Sequence, residues 1–188
     1  MTLTVPLDNP MLIDSLIEDD RWRAADFDDH ARIAASATLT HLGLRVDDYL
    51  ISVLACDDAK IATLNADFRG KPTPTNVLSW PSEERGVEVA GDTPELPDIG
   101  QEIPYELGDI AISFDTCLQE AKVSNTPFEQ HVLHLMIHGT LHLLGYDHIF
   151  DKDAALMEGI ETEVLATLGV PDPYAAHEAL SLDNVEQD

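Results

Sequence analysis

Three histidines in the last third of the chain have the spacing of metal ligands. His138, His142 and His148 occupy relative positions 0, 4 and 10, with Gly145 at position 7. If residues 127–144 form a helix, the first two imidazoles leave the same face and can bind one ion. A helix continued to position 148 would carry the third imidazole away, whereas Gly145 can take a positive φ and fold the chain back. The segment therefore predicts a three-histidine metal site.

The composition of this set favours a catalytic zinc centre. Structural zinc sites are closed by four protein ligands, often thiolates, whereas catalytic sites keep one position open. Imidazole also suits nickel, copper and iron, and affinity alone would favour copper. We expect one Zn²⁺ ion, with other divalent transition metals as alternatives.

The residue after the first histidine separates two kinds of zinc hydrolase. The spacing 0, 4, 7, 10 is also that of metzincin proteases, which carry glutamate directly after the first histidine as general base. In this chain that position is Gly139. A protease mechanism has therefore lost its usual proton acceptor, although Asp147, beside the third histidine, could take that place. Met157 falls in a helical pattern and is interpreted as a packing residue, not as part of a methionine turn.

Three segments together carry a family resemblance. They are LNADFRGK at 64–71 with PTNVLSWP at 74–81, LGDIAIS at 107–113, and HGTLHLLGYDH at 138–148. In this order they resemble the bacterial YbeY-type family, zinc-dependent endoribonucleases of ribosomal RNA maturation and ribosome quality control. The likeness runs from about Ser52 to Tyr174, which is most of the chain.

The resemblance implies a function and a set of site residues. His138, His142 and His148 would be the metal ligands, and Arg69 would be the essential basic residue of the cleft. The implied activity is single-strand-specific cleavage of RNA, in 16S rRNA 3′-end maturation and ribosome quality control. The implied partners are ribosomal RNA precursors and the ribosome or its proteins.

Basic residues are scarce, which makes Arg69 and Lys71 stronger candidates for a functional site. The chain has only ten Lys and Arg. A guanidinium can bind the non-bridging oxygens of a phosphodiester in a bidentate manner, and Thr75, Asn76 and Ser79 could add neutral donors. We expect metal-assisted hydrolysis in which Arg69 stabilises charge developing at phosphorus and Asp147 acts as a base or orients a ligand. Attack by water and attack by a ribose 2′-hydroxyl both stay open.

The overall charge opposes a nucleic-acid enzyme. The formal net charge is −26 and the isoelectric point about 4.2, whereas RNA-binding proteins usually rely on basic surfaces. From Ser82 to Asp109 nine carboxylates accompany only Arg85, which predicts a solvated acidic loop at about 82–106. Residues 175–188 are predicted to form an acidic C-terminal tail. Such a surface repels nonspecific polyanions.

Length and composition fit one compact domain, predicted to span residues 1–174. With 188 residues and 44% hydrophobic content the chain can bury a substantial core. It has neither a signal-like N-terminus nor an apolar stretch of about 18 residues, so we expect a cytoplasmic protein without a membrane partner.

Cys56 and Cys117 lack paired spacing and are expected to be reduced, buried thiols. The sequence predicts no particular oligomeric state.

The hydrophobic pattern indicates alternating elements. Helices are predicted at 26–42, from 57 or 58 to 69, at 115–123, 127–144 and 152–168, and strands at 49–56, 77–80 and 108–114. The predicted fold class is α/β (α+β), with a small mixed sheet packed against helices and a metal-binding helix followed by a glycine turn. His131 and His134 lie on nearly the same stripe as His138. They could line the cleft or form hydrogen bonds with the metal-binding histidines. We do not count them as metal ligands.

Two alternatives from other classes accompany the nuclease hypothesis. One is a zinc hydrolase of peptides or small molecules, which an acidic surface would permit. The other is a noncatalytic ribosome-assembly factor whose metal is architectural.

Overall fold

A computed structural model of the chain describes residues 12–97 and 104–175. Within them four strands form one sheet, with helices on both faces. The strands are β1 (Ile13–Ile17), β2 (Tyr49–Cys56), β3 (Val77–Pro81) and β4 (Tyr105–Ser113). The helices are α1 (Arg21–Ala24), α2 (Phe27–His41), α3 (Asp58–Arg69), α4 (Phe114–Val123), α5 (Phe128–Leu143) and α6 (Asp151–Thr167).

The sheet is mixed, as predicted. Its strand order is β1-β2-β4-β3, with β1 parallel to β2, β2 parallel to β4, and β3 antiparallel to β4. Side chains of β4 alternate between two cores: Ile110 and Ile112 join the large core that contains α2 and α5, and Ala111 joins a smaller cluster with Ile61 of α3. The predicted α/β (α+β) class is therefore confirmed.

Local signals located most elements to within a few residues. Strand β2 has the predicted bounds, and α3 begins where Asp57 caps it, since its carboxylate accepts a hydrogen bond from the Lys60 amide at 2.9 Å. The predicted start of β4 at Gly108 was wrong, because the strand begins at Tyr105 and includes the last residues assigned to the acidic loop. Of that loop, 98–103 lie outside the described residues, as does the predicted tail after Ala175.

A β-bulge explains the error in β4. Leu50 pairs with Glu106 and Ile51 with Gly108, so the ladder skips Leu107. Gly108 has φ 138°, and a Cβ there would lie 2.1 Å from the carbonyl oxygen of Trp80. The glycine therefore permits β3 to pair closely with β4 at this point, and the strand continues on its other side.

Two elements were not predicted. Strand β1 has the sequence IDSLI, in which Asp14 and Leu16 are exposed. Helix α1 is only four residues long, too short for a helical period, yet Trp22 within it is fully buried. The Trp22 indole donates a hydrogen bond to the Cys56 carbonyl at 2.9 Å, which ties α1 to the end of β2.

Helix α5 lies against the sheet and supplies much of the core. Its buried apolar residues include those predicted: Val132, Leu135, Met136 and Leu141, with Leu143 and Leu144 at its end. Met157 of α6 is also buried, which agrees with a packing role.

Cys56 and Cys117 are buried free thiols, and burial raises the pKa of Cys56 to about 12. Within the described ranges no helix is long and apolar enough to span a bilayer.

Candidate metal centre

Helix α5 brings two of the predicted ligands together. His138 and His142 are one turn apart, and their Nε2 atoms are 3.0 Å from each other. The two rings are nearly perpendicular, with centroids 4.5 Å apart. A helix of this length, anchored by its buried face, gives both imidazoles a fixed orientation.

The turn after α5 brings in the third imidazole. Helix α5 ends at Leu143, and Gly145 has φ 96°, as the sequence pattern predicts. The Tyr146 amide donates to the Leu141 carbonyl at 3.1 Å, which closes the helix end. The chain then reverses, and the ring of His148 lies 5.2 Å from that of His138 and 5.0 Å from that of His142.

The nitrogen atoms fit a metal ion. One ligand atom from each histidine lies within 4.8 Å of the others. The Nδ1 of His138 donates to Glu161 at 2.7 Å and the Nδ1 of His142 donates to the Tyr146 carbonyl at 2.9 Å. In neutral rings both Nε2 atoms then carry lone pairs that face each other, an arrangement that a cation between them stabilises. Tetrahedral zinc with bonds of 2.0–2.1 Å separates its nitrogen ligands by roughly 3.3 Å.

The surroundings keep His142 neutral. Burial, with the neighbouring His138 and His148, lowers the pKa of His142 to about 4. A neutral imidazole is the form that binds a metal ion, so this ring is ready to do so at neutral pH without losing a proton.

Glu161 of α6 is the acceptor that a ligand imidazole needs, and the sequence did not identify it. Its side chain is fully buried and accepts hydrogen bonds from His138, from His134 at 2.8 Å and from the Tyr174 hydroxyl. Burial alone would raise its pKa, but the bonds from His134 and His138 lower the pKa of Glu161 to about 2. A signal was available, since Glu161 lies on the otherwise apolar stripe of α6 that includes Met157 and Val164.

His131 belongs to a separate hydrogen-bonded group beside the cleft. Its Nε2 donates to Glu120 at 2.9 Å, and Glu120 also accepts from the Asn76 amide at 2.9 Å. The hydrogen bond from His131 lowers the pKa of Glu120 against the effect of burial. Because Asn76 Oδ1 accepts from the Val77 amide at 2.6 Å, the Asn76 side chain fixes the start of β3 instead of offering a free donor.

Both predicted catalytic residues line the same cleft as the histidines. The cleft has a volume of about 860 Å³ and includes Arg69 and Asp147 in its wall. Asp147 accepts a hydrogen bond from the backbone amide of His148 at 2.7 Å, which helps to fix the third histidine. Arg69 is exposed at the end of α3, and Ser79 Oγ is buried without a hydrogen-bond partner among the described residues.

The cleft differs in charge from the rest of the molecule. Three of the ten Lys and Arg line it, namely Arg69, Lys71 and Arg85, against two carboxylates, Glu84 and Asp147. The whole chain carries a formal charge of −26. The cleft wall therefore has one more cation than carboxylates, in a molecule that has a large excess of carboxylates, and a polyanion would need such a site.

Gly139 lies where helix and sheet are closest. A Cβ at this position would be 3.0 Å from Ile110 Cδ1 and 3.2 Å from Ser79 Oγ. A side chain at this position, including the glutamate of metzincin proteases, would therefore require the ends of Ile110 and Ser79 to shift by a few tenths of an ångström. The geometry argues against a protease that uses this position.

Comparison with known proteins shows the family that this chain matches. A family model described as endoribonuclease YbeY matches residues 16–169. A relative named endoribonuclease YbeY from Jannaschia sp. (strain CCS1) is 56% identical over 164 residues, covering 87% of this chain and 100% of the relative. Another of that name, from Paracoccus denitrificans (strain Pd 1222), is 53% identical over 173 residues, covering 92% and 95%. The solution structure of TM1509 from Thermotoga maritima shares the fold, with a TM-score of 0.53, 24% identity and coverage of 89% and 93%.

Proposed function

Because the chain belongs to the YbeY family of endoribonucleases, we propose that it is a zinc-dependent endoribonuclease specific for single-stranded RNA. The observation that carries the proposal is the convergence of His138, His142 and His148 in a cleft that also holds scarce basic side chains. A structural zinc site would be closed by a fourth protein ligand, whereas this histidine set faces an open cleft.

The roles of the protein groups follow from their positions. His138, His142 and His148 hold the ion, with Glu161 fixing the ring of His138. Zinc, when bound, supplies Lewis acidity and activates water at neutral pH. Arg69 binds non-bridging oxygens of the scissile phosphodiester and stabilises the charge that develops there.

Asp147 has two roles compatible with its position in the cleft wall. Its bond to the His148 amide supports an orienting role, because that bond fixes the backbone of a ligand residue. Its half-buried carboxylate also lines the cleft that holds the three histidines, which supports the role of general base. Arg69 and Asp147 therefore remain the proposed catalytic residues.

The substrate is proposed to be precursor ribosomal RNA. Membership of the family supports a role in 16S rRNA 3′-end maturation and ribosome quality control, with the ribosome or its proteins as partners, in the cytoplasm. The net charge of −26 disfavours nonspecific binding of polyanions, whereas the cleft offers three cations to a bound RNA.

The decisive experiment combines metal analysis with cleavage assays. The purified protein should contain one zinc per chain by elemental analysis and should cut single-stranded RNA, with cleavage lost on chelation and restored by zinc. His142→Ala should lose the metal and the cleavage together. His41→Ala is the matched control, since His41 lies on α2 and contacts Glu163 at 3.2 Å, away from the cleft.

Three results would contradict the proposal. Normal RNA cleavage by a His142→Ala protein without metal would refute the site. Hydrolysis of casein with no cleavage of RNA would favour a peptide hydrolase. Metal binding with normal rRNA processing in cells that carry Arg69→Ala would favour an assembly factor with an architectural ion.

A further inference from the structure

Arg85 is the one basic residue of the acidic segment that follows β3, and it lines the cleft with the three histidines. Its side chain is only 14% exposed. A Cβ added at Gly145 would lie 2.7 Å from both Arg85 Cβ and Arg85 O. The segment is therefore in close contact with the turn that brings in His148, and Arg85 is its point of contact.

The guanidinium of Arg85 is held in a fixed orientation. Its Nη2 donates to Glu83 and to the Tyr105 hydroxyl, each at 2.6 Å. Its Cζ is 5.7 Å from the centroid of the Tyr105 ring. Within the described part of the chain all hydrogen bonds of Arg85 use Nη2, so Nε and Nη1 are left for a ligand.

Arg45 provides a comparison within the same protein. Arg45 also donates through Nη2 to a carboxylate, that of Asp48 at 2.7 Å, but its side chain is 77% exposed and it does not line the cleft. Arg85 combines the same ion pair with burial, a second hydrogen bond to Tyr105 and a position beside the metal site. Burial and a second partner reduce the entropy that a long side chain loses on binding an anion.

We propose that Arg85 is a substrate-positioning residue that binds a phosphate of the RNA next to the scissile one, an inference that rests on the proposed endoribonuclease function. Because Nη2 is occupied and Nε–H and Nη1–H do not share an edge of the guanidinium, Arg85 donates a single charge-assisted N–H to a non-bridging oxygen. Arg69 lies at the end of α3 and Arg85 on the segment after β3, so the two cations reach the cleft from different elements. An extended RNA strand would then contact both, with Arg69 at the scissile phosphate and Arg85 at its neighbour.

The proposal makes Arg85 responsible for binding and not for the chemical step. Arg85→Gln keeps the aliphatic stem against Gly145 and removes the charge. On a single-stranded RNA oligonucleotide its KM should rise on the order of tenfold, while kcat changes by less than about threefold. Because one phosphate contact is lost, the plot of log(kcat/KM) against log salt should become less steep by about 0.7.

Two further variants separate charge from geometry. Arg85→Lys keeps the charge but not the fixed direction of the guanidinium N–H groups, so it should keep the salt dependence and show an intermediate KM. Arg45→Gln, the matched control, should behave as the unaltered protein in KM and in salt dependence. Zinc content and melting temperature, measured for every variant, report whether the turn at Gly145 is intact.

The outcomes are distinguishable. An unchanged KM and salt dependence in Arg85→Gln would overturn the proposal while RNA cleavage by the unaltered protein still supports the endoribonuclease. Loss of zinc and of kcat with an unchanged KM would also overturn it, because Arg85 would then only support the turn that carries His148. If the unaltered protein cuts no RNA, both the function and this role of Arg85 are refuted.

Discussion

Glu161 connects the last helix to the metal centre through a single side chain. It accepts hydrogen bonds from His138, His134 and the Tyr174 hydroxyl, all within a site that excludes water from the carboxylate. A ligand imidazole that donates its other N–H to a carboxylate is held in the correct tautomer and is a stronger base toward the ion. The affinity of the centre for metal therefore depends on a residue that does not touch it.

Glu161→Gln should weaken metal binding by roughly 10–100-fold, because the amide removes the negative charge and offers only one acceptor. Competition with a chromophoric chelator measures this affinity directly. Glu163→Gln is the matched control, since Glu163 lies on the same helix with 70% of its side chain exposed. Equal zinc affinity in the two variants would show that Glu161 does not support the centre.

At the scale of residues, the sequence predicted contacts between residues close together in the chain and missed a contact between distant ones. The spacing of His138, His142 and His148 lies within eleven residues, so helix geometry and one glycine were enough to place their rings close together. Glu161 lies 23 residues after His138. Its role depends on the way α6 packs against α5, which no spacing along the chain determines.

Among the turns that follow the helices, the turn after α5 has the strictest requirement. Gly145 combines a positive φ of 96° with a close approach to the Arg85 backbone. Gly43, at the end of α2, has φ 75°, and a Cβ added there would meet nothing within 4 Å. A substitution at Gly43 therefore introduces backbone strain alone, whereas a substitution at Gly145 introduces backbone strain and a steric clash.

Gly43→Ala should cost about 1 kcal/mol of stability from backbone strain alone. Gly145→Ala should cost roughly 2–4 kcal/mol, because a backbone atom of Arg85 has to move as well. Urea unfolding followed by circular dichroism measures both. Gly145→Ala should also lower zinc affinity, since the turn positions His148, whereas Gly43→Ala should not. Similar losses of stability in both variants, with normal zinc affinity, would contradict this account.

Elements with strong end signals could be predicted, and those without could not. Strand β2 is a continuous apolar run, and α3 starts at the Asp57 cap and ends at Gly70, which has φ 67°. Strand β1 lacks such signals because half of it faces solvent at the edge of the sheet. Its pairing with β2 is a long-range contact, and the bulge at Leu107 in β4 depends in the same way on the neighbouring strand.

On the scale of the whole molecule, Arg21 joins parts of the chain that are distant in sequence. Its guanidinium contacts Asp19 at 2.5 Å and, on α4, Asp115 at 2.7 Å. The hydrogen bond from Arg21 is the main cause that lowers the pKa of both carboxyl groups below 3.8. These two ion pairs of Arg21 connect the segment after β1 to α4 in a molecule with an excess of negative charge.

The pH dependence of this contribution has a definite sign. Since both carboxyl groups have a lower pKa in the folded state, the unfolded chain binds more protons as the pH falls, and the stabilisation is lost. Arg21→Ala should therefore lower the melting temperature by a few degrees at pH 7, and the difference from the unaltered protein should shrink below about pH 4.

Melting curves between pH 7 and pH 2.5 test this expectation. Arg23→Ala serves as the control, because Arg23 lies on the same helix and its partner Asp20 is 93% exposed. A deficit of Arg21→Ala that stays constant down to pH 2.5 would show that lost packing, and not the ion pairs, causes it.

The net charge alone pointed away from RNA, and the fold explains why that interpretation is incomplete. Composition reports the sum of charges, whereas recognition depends on their distribution. Arg69, Lys71 and Arg85 come from two separate segments, and the fold places all three in the wall of the cleft that holds the histidines. That placement could not be predicted from a count of residues.

The close packing of α5 against the sheet at Gly139 also limits which side chains this position can accept. A side chain at that point requires the ends of Ile110 and Ser79 to move by a few tenths of an ångström or α5 to shift away from the sheet, and an outward shift of α5 would move His138 and His142 together. The substitution that supplies the carboxylate of a peptidase therefore has a cost in the packing that positions these two histidines. Smaller side chains on the facing strands would lower that cost.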